Sequence, residues 1–153
     1  MSSKKVLILY YSGSGNTKKM AKAISEAMKS SAINVTVEDA GKFDISSLPK
    51  YDGIVLGSPT YFSNMAWQAK KVIDESIVHY GGGKLKGKVA GIFTSAGTSR
   101  DGKDCLKMLE VALGSHHGMK VVQGILRVDG ESDKEVEKRC QEYGKKILKE
   151  IEK

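Results

Sequence analysis

Five successive apolar or aromatic residues, Val6-Leu7-Ile8-Leu9-Tyr10, run almost directly into Ser12-Gly13-Ser14-Gly15-Asn16-Thr17, and the spacing then changes. A short apolar run without alternation suits a strand covered on both faces. From Thr17 onward, Thr17, Met20, Ala21, Ile24 and Ala27 recur at three and four residues, as on one face of a helix. A doubly covered strand followed at once by a helix restricts the chain to layered α/β architectures.

The rest of the chain repeats the unit. Ile33 to Val37 alternates and is rich in β-branched residues, and "GKFDISSLPKYD" is a polar, turn-rich connection. Gly53 to Gly57 reads as a third strand, Ser58 to Ser63 as a loop, and Asn64 to Val78 as a helix with Ala69, Val72, Ile73 and Ile77 turned inward. The glycine-rich "HYGGGKLKGK" leads to a fourth strand, Val89 to Thr94. A loop from Ser95 to Gly102, a helix from Asp104 to Leu113 and the turn "SHHGM" follow. Val121 to Val128 supplies a fifth strand, and Glu131 onward an amphipathic helix with Val136, Cys140, Tyr143, Ile147 and Ile151 on one side. This alternation predicts one α/β domain over residues 1–153, with a parallel sheet and helices on both faces. In such sheets ligands bind beyond the carboxyl ends of the strands. Ser12–Thr17, Ser58–Ser63 and Ser95–Gly102 all leave strand ends, so they form three walls of one predicted site.

Composition narrows the partners. The formal net charge is +7 over 153 residues, which raises the question of nucleic acid. The lysines are scattered, however, and many alternate with glutamate as in "EVEKRCQEYGKKILKEIEK", the pattern of a solvated helix face. Aromatics are few and do not interleave with a basic cluster, so no nucleic-acid role is expected. No leader-like succession opens the chain, and no apolar stretch approaches the roughly 20 residues of a membrane span. The two cysteines, Cys105 and Cys140, stand far apart in no metal-ligand spacing and read as buried thiols, with no metal expected. A cytoplasmic protein without a membrane partner is the expectation.

The first loop carries most of the chemistry. A strand, a glycine-containing loop and a helix N-terminus make an anion site from free N–H groups and the positive end of the helix dipole. Ser12, Ser14, Asn16 and Thr17 add side-chain donors, and Gly13 and Gly15 permit close approach and unusual φ. A Walker A loop fails because Lys18 stands where its second glycine belongs, and the dinucleotide fingerprint fails at the same residue. No cysteine precedes the loop to act as a phosphatase nucleophile, and Tyr10-Tyr11 replaces the aspartate of a receiver domain. What remains is a loop that meets a monoester phosphate with neutral donors alone.

The stretch Ile8 to Ile24 resembles the flavodoxin signature, whose loop holds the phosphate of FMN without a cation. "GSPTYFSNM" (Gly57 to Met65), "FTSAGTSRDG" (Phe93 to Gly102) and "SHHGM" (Ser115 to Met119) resemble loops of the WrbA branch of flavodoxin-like proteins, the NAD(P)H:quinone oxidoreductases. The resemblance implies a flavodoxin-like three-layer sandwich with a five-stranded parallel sheet in the order 2-1-3-4-5. It implies that Ser12, Gly13, Ser14, Gly15, Asn16 and Thr17 hold FMN by its phosphate. Pro59, Thr60, Tyr61, Phe62, Asn64 and Met65 would border the flavin ring, with Trp67 a further apolar candidate. Thr94, Ser95, Ala96, Gly97 and Thr98 would flank it, the amides of Ser95 to Thr98 facing the pyrimidine edge where charge develops on reduction. His116 matches the family histidine near the flavin and is the one candidate for proton delivery; no other catalytic side chain is implied.

Ser63 replaces a glycine usual in that branch, and Ser99-Arg100-Asp101 replaces a glycine run. The long insertion between the second and third strands, which helps build the tetramer of that branch, is lacking. Two functions follow. One is an enzyme that passes two electrons from NAD(P)H through FMN to a quinone or similar acceptor. The other is a flavodoxin-type electron carrier that docks on redox partner proteins. The basic charge favours the enzyme, because flavodoxins are usually acidic. A homodimer would cover the exposed flavin edge.

Overall fold

The computed structural model describes residues 3–29 and 32–153. Its elements are β1 (Lys4–Tyr10), α1 (Asn16–Met28), β2 (Ile33–Asp39), β3 (Gly53–Tyr61), β4 (Asn64–Met65), α2 (Trp67–Glu75), α3 (Ile77–Tyr80), β5 (Val89–Ala96), α4 (Ser99–Glu110), β6 (Lys120–Val121), β7 (Ile125–Val128) and α5 (Asp133–Glu152). A 3₁₀ turn, Ile45–Lys50, sits in the polar connection before β3, and a π-helical turn, Val111–His116, continues α4.

The strands run β2-β1-β3-β5, with β6 and β7 both parallel to β5 at the far side. Alternation within β1 explains the layering. Val6 and Ile8 face Met20, Ile24, Cys140, Tyr143 and Ile147 of α1 and α5. Leu7 and Leu9 face the opposite layer, with Ala69 and Val72 of α2 and Cys105 and Leu109 of α4. Burying each such side chain contributes about 1.5–3 kcal/mol, so a strand apolar on every residue is stable only between two helical layers. At Gly144 a Cβ would lie 2.7 Å from the Ile24 carbonyl oxygen, which is how closely α5 approaches α1.

Several expectations need correction. The sheet has seven strands, not five, because the expected fifth strand is two pieces and β4 is an added antiparallel partner of β3. The split is held open by Tyr143. Its hydroxyl accepts from the Ile92 N–H at 2.9 Å and donates to the Val122 carbonyl at 2.8 Å, bridging the strands where their own ladder stops. The third strand runs on to Tyr61 and the fourth to Ala96, so residues expected in loops are paired, Ser58 with Thr94 and Pro59 with Ser95. The helix expected from Asp104 begins at Ser99, because the Thr98 side chain caps it by accepting from the Asp101 N–H. The helix expected over Asn64 to Val78 starts at Trp67 and breaks at Ser76, whose hydroxyl donates to the Ile73 carbonyl at 2.6 Å. Beyond that break Ile77 points outward, 66% exposed, rather than into the core.

Candidate functional site

The carboxyl ends of β1, β3 and β5 bring the three expected loops together. Gly15 adopts φ 102°, a left-handed conformation natural to glycine, and opens α1. The Ser12 hydroxyl accepts from the Gly15 N–H at 3.1 Å and the Lys18 N–H at 3.2 Å, so it caps the helix entrance while its own proton remains available to donate. Gly13, Ser14, Gly15 and Asn16 are exposed or half-buried around it. Thr17 is buried, and its Oγ1 lies 2.9 Å from Ser95 Oγ, which ties the first loop to the end of β5. A Cβ on Gly13 would stand 2.5 Å from the Tyr61 hydroxyl, so the phenol of the second loop lies directly against the first.

The second loop is a tight hairpin. Thr60 pairs with Met65 and Tyr61 with Asn64, leaving Phe62 and Ser63 as the two turn residues, at φ 52° and 65°. Hairpins of this length favour turns with positive φ at both positions, ordinarily filled by Asn-Gly. Two residues with side chains there place a strained backbone at the mouth of the site. Phe62 is fully exposed, Trp67 largely so and Tyr61 nearly half. Ser63 donates to Asp101 Oδ1 at 2.9 Å, pinning the hairpin tip to the first turn of α4. Deeper in, Thr94 donates to the Ser58 carbonyl at 2.7 Å, so the 2.6 Å bond between the Thr60 and Thr94 hydroxyls has Thr60 as donor.

Not every expected residue reaches the surface of this site. Thr94 is wholly buried and Met65 packs in the core on the α2/α4 side, so both support the wall from behind. Pro59 is likewise buried within β3. Ser95 and Ala96 are buried at the end of β5, whereas Gly97 and Thr98 are exposed at the rim.

His116 is not brought there. It ends the π-helical turn that precedes β6, and β6 pairs with the start of β5, so within the chain His116 lies at the amino end of the sheet. Its neighbour His117, read in sequence as part of a polar turn, is buried. It sits 2.8 Å from Ser76 Oγ, and burial, then His79 and His116, push its pKa below the ordinary histidine value.

Sequence reasoning missed a charged cluster beside the first loop. Arg127 of β7 stands in register with Ser95 of β5. Its guanidinium pairs with Asp133 at the start of α5, and the other oxygen of Asp133 meets Lys19 Nζ of α1 at 3.2 Å. The Arg127 hydrogen bond and then the Lys19 bond hold the Asp133 carboxyl below its usual range. Arg127 and Asp133 are six residues apart, but Lys19 and Asp133 are separated by more than a hundred, which no local pattern carries.

Flavodoxin domains as a family match residues 7–130. The chain belongs to the flavodoxin family. It is 34% identical over 138 residues to an NAD(P)H dehydrogenase (quinone) of Rhizobium rhizogenes, an overlap of 77% of this chain and 69% of that protein. NAD(P)H dehydrogenase (quinone) 3 of Rhizobium meliloti is 30% identical over 151 residues, covering 82% of this chain and 71% of the relative. Among solved structures, the flavodoxin, WrbA-like protein from Agrobacterium tumefaciens superposes with a TM-score of 0.84 at 27% identity, over 98% of both chains.

Among the described residues no helix is long and apolar enough to cross a membrane.

Proposed function

We propose that the chain is an FMN-dependent oxidoreductase that takes electrons from NAD(P)H and gives them to a quinone or similar acceptor. The observation that carries this is the joining of three strand-end loops at one edge, through Gly13 under Tyr61 and Thr17 against Ser95. The names of the rhizobial relatives support the donor and acceptor. The residues suit the cofactor. Exposed Gly13 and Ser14, a left-handed Gly15 and the Ser12 hydroxyl at the start of α1 fit a phosphomonoester. When bound, FMN supplies the hydride and electron chemistry.

The chain's own residues hold and orient. Ser12 to Thr17 grip the phosphate. Tyr61 and Phe62 present apolar faces to the ring, and Gly97 and Thr98 offer amides to its polar edge. Thr60, Thr94 and Ser58 form a hydrogen-bonded strut that fixes the hairpin from behind. Asn64, paired with Tyr61, holds the other arm of the turn.

The whole chain acts as one flavin-binding unit. The two free, buried thiols, Cys105 and Cys140, suit a reducing cytoplasm. A homodimer would shield the exposed Phe62.

The test is steady-state oxidation of NADH and NADPH by the yellow, FMN-loaded protein with a benzoquinone. Turnover with either donor is expected. No turnover with both would leave the flavodoxin-type carrier, and a colourless protein that ignores added FMN would defeat both readings.

A further inference from the structure

The first loop offers a phosphate hydroxyls and amides but no cation. The structure places one just outside it. Paired residues of neighbouring parallel strands project to the same face. Ser95 projects toward Thr17 of α1, so Arg127, its partner across the ladder, projects to the same side. Its side chain is only 12% exposed, yet its Nε is buried without a hydrogen-bond partner. A guanidinium prefers to use all its donors, and leaving one unmet in the interior is costly. Asp133 draws Nη1 toward α5 and binds Lys19 with its other oxygen.

The remaining charges along the α1–α5 cleft are Lys22, Glu26 and Glu137. Both helices run away from the carboxyl edge of the sheet, so these three lie farther from the loop than Lys19, Asp133 and Arg127. Glu131 is occupied by Arg139 at 2.7 Å. Glu131 also feels the charge of Arg127, and Asp129 lies near Gly97 of the third loop, so the two cations Lys19 and Arg127 are joined by Asp133 with further carboxylates close by.

We infer that Arg127 is the counter-charge of the flavin phosphate and that Asp133 limits its strength; this rests on the FMN reading above. The neutral loop supplies shape and hydrogen bonds, and the Lys19–Asp133–Arg127 cluster supplies a net positive field from behind it. The field acts on the phosphate and not on the ring, so it selects FMN over riboflavin. A purely structural clasp between α1 and α5 predicts something different: breaking it from either side would loosen the same contact.

The experiment is fluorescence titration of the flavin-stripped full chain with FMN and with riboflavin. The proteins are the wild type, Arg127→Gln, Arg127→Lys and Asp133→Asn. Arg127→Gln is expected to weaken FMN about tenfold and leave riboflavin unchanged, and Arg127→Lys to retain most FMN affinity. Asp133→Asn is expected to strengthen FMN about threefold, because two cations lose their restraint. Opposite signs for the two neutralisations are the signature of a field. Weakening by both, an unchanged FMN affinity in Arg127→Gln, or equal losses for FMN and riboflavin would overturn the inference. If Arg127→Gln does not fold, the Arg127→Lys and Asp133→Asn pair still decides the sign. A wild type that does not prefer FMN to riboflavin would refute the FMN reading itself.

Discussion

The two ends of one sheet are furnished with different kinds of residue. At the carboxyl end the first and third loops are rich in small and hydroxylic side chains, with the Lys19–Asp133–Arg127 cluster beside them, a glycine takes a left-handed φ, and the Phe62–Ser63 turn is strained. Three loops there are joined by side-chain contacts between strands far apart in sequence. At the amino end the turns carry Lys84, Lys86, Lys88 and Lys120, His117 meets Ser76 between α2 and α3, and His79 of α3 meets the Ile45 carbonyl. An apolar cleft of about 420 Å³ between Tyr80, Ile77 and His116 belongs to that end. The difference teaches that the net charge of +7 says little about the site. Many lysines sit where the strands begin, while the grip sits where they finish. Strain and neutral donors mark the functional edge; bulk charge marks the solvated one.

The largest expected effect comes from removing the donors of the grip. Ser12→Ala with Thr17→Ala should weaken FMN by about 3 kcal/mol, near two orders of magnitude in Kd, measured by fluorescence quenching. Retained tight binding would mean the phosphate is held elsewhere. A smaller effect should follow from relaxing the hairpin. Phe62→Asn with Ser63→Gly places Asn-Gly in a turn built for it, and about 1–2 kcal/mol of stability should return, raising the unfolding midpoint by roughly 3–6 °C. Flavin affinity should drop about fivefold in the same protein, because the exposed ring and the Ser63–Asp101 tether are lost. A gain in stability with no loss of binding would detach the strain from the function.

The smallest effect belongs to the amino end. The folded pKa of His117 is lowered by burial and by the neighbouring histidines, so the unfolded chain takes up the proton first as pH falls. Stability is then complete above about pH 6.5 and declines below it, by no more than about 1.4 kcal/mol per pH unit for one site. His117→Gln should flatten that decline in urea titrations between pH 5 and 7 while leaving FMN affinity as it was. A change in FMN affinity would break the separation between the two ends.

Much of this was legible in the sequence. Val6 to Tyr10 and the three-and-four spacing after Thr17 announced a doubly covered strand and its helix, and Leu7 and Ile8 do face opposite layers. The three loops were legible because each follows a short apolar run. What was not legible depended on partners distant in the chain. The hydroxyl of Tyr143 splits the outer strand, yet in sequence it looks like one more residue on an amphipathic helix. The site of His116 follows from strand order, which no local pattern carries. Thr98 and Asp101 carry a helix-start signal of their own, obscured by the small residues around them. Arg127 reads as an ordinary strand cation until Ser95 is seen beside it.

The most direct measurement is amide NMR of the flavin-stripped chain during titration with FMN. One FMN per chain should bind, moving the amides of Gly13, Gly15, Asn16, Phe62, Gly97 and Thr98. Those of Lys84 to Lys88 and Ser115 to Gly118 should stay in place. No saturable binding, or shifts centred on the amino end of the sheet, would contradict the account.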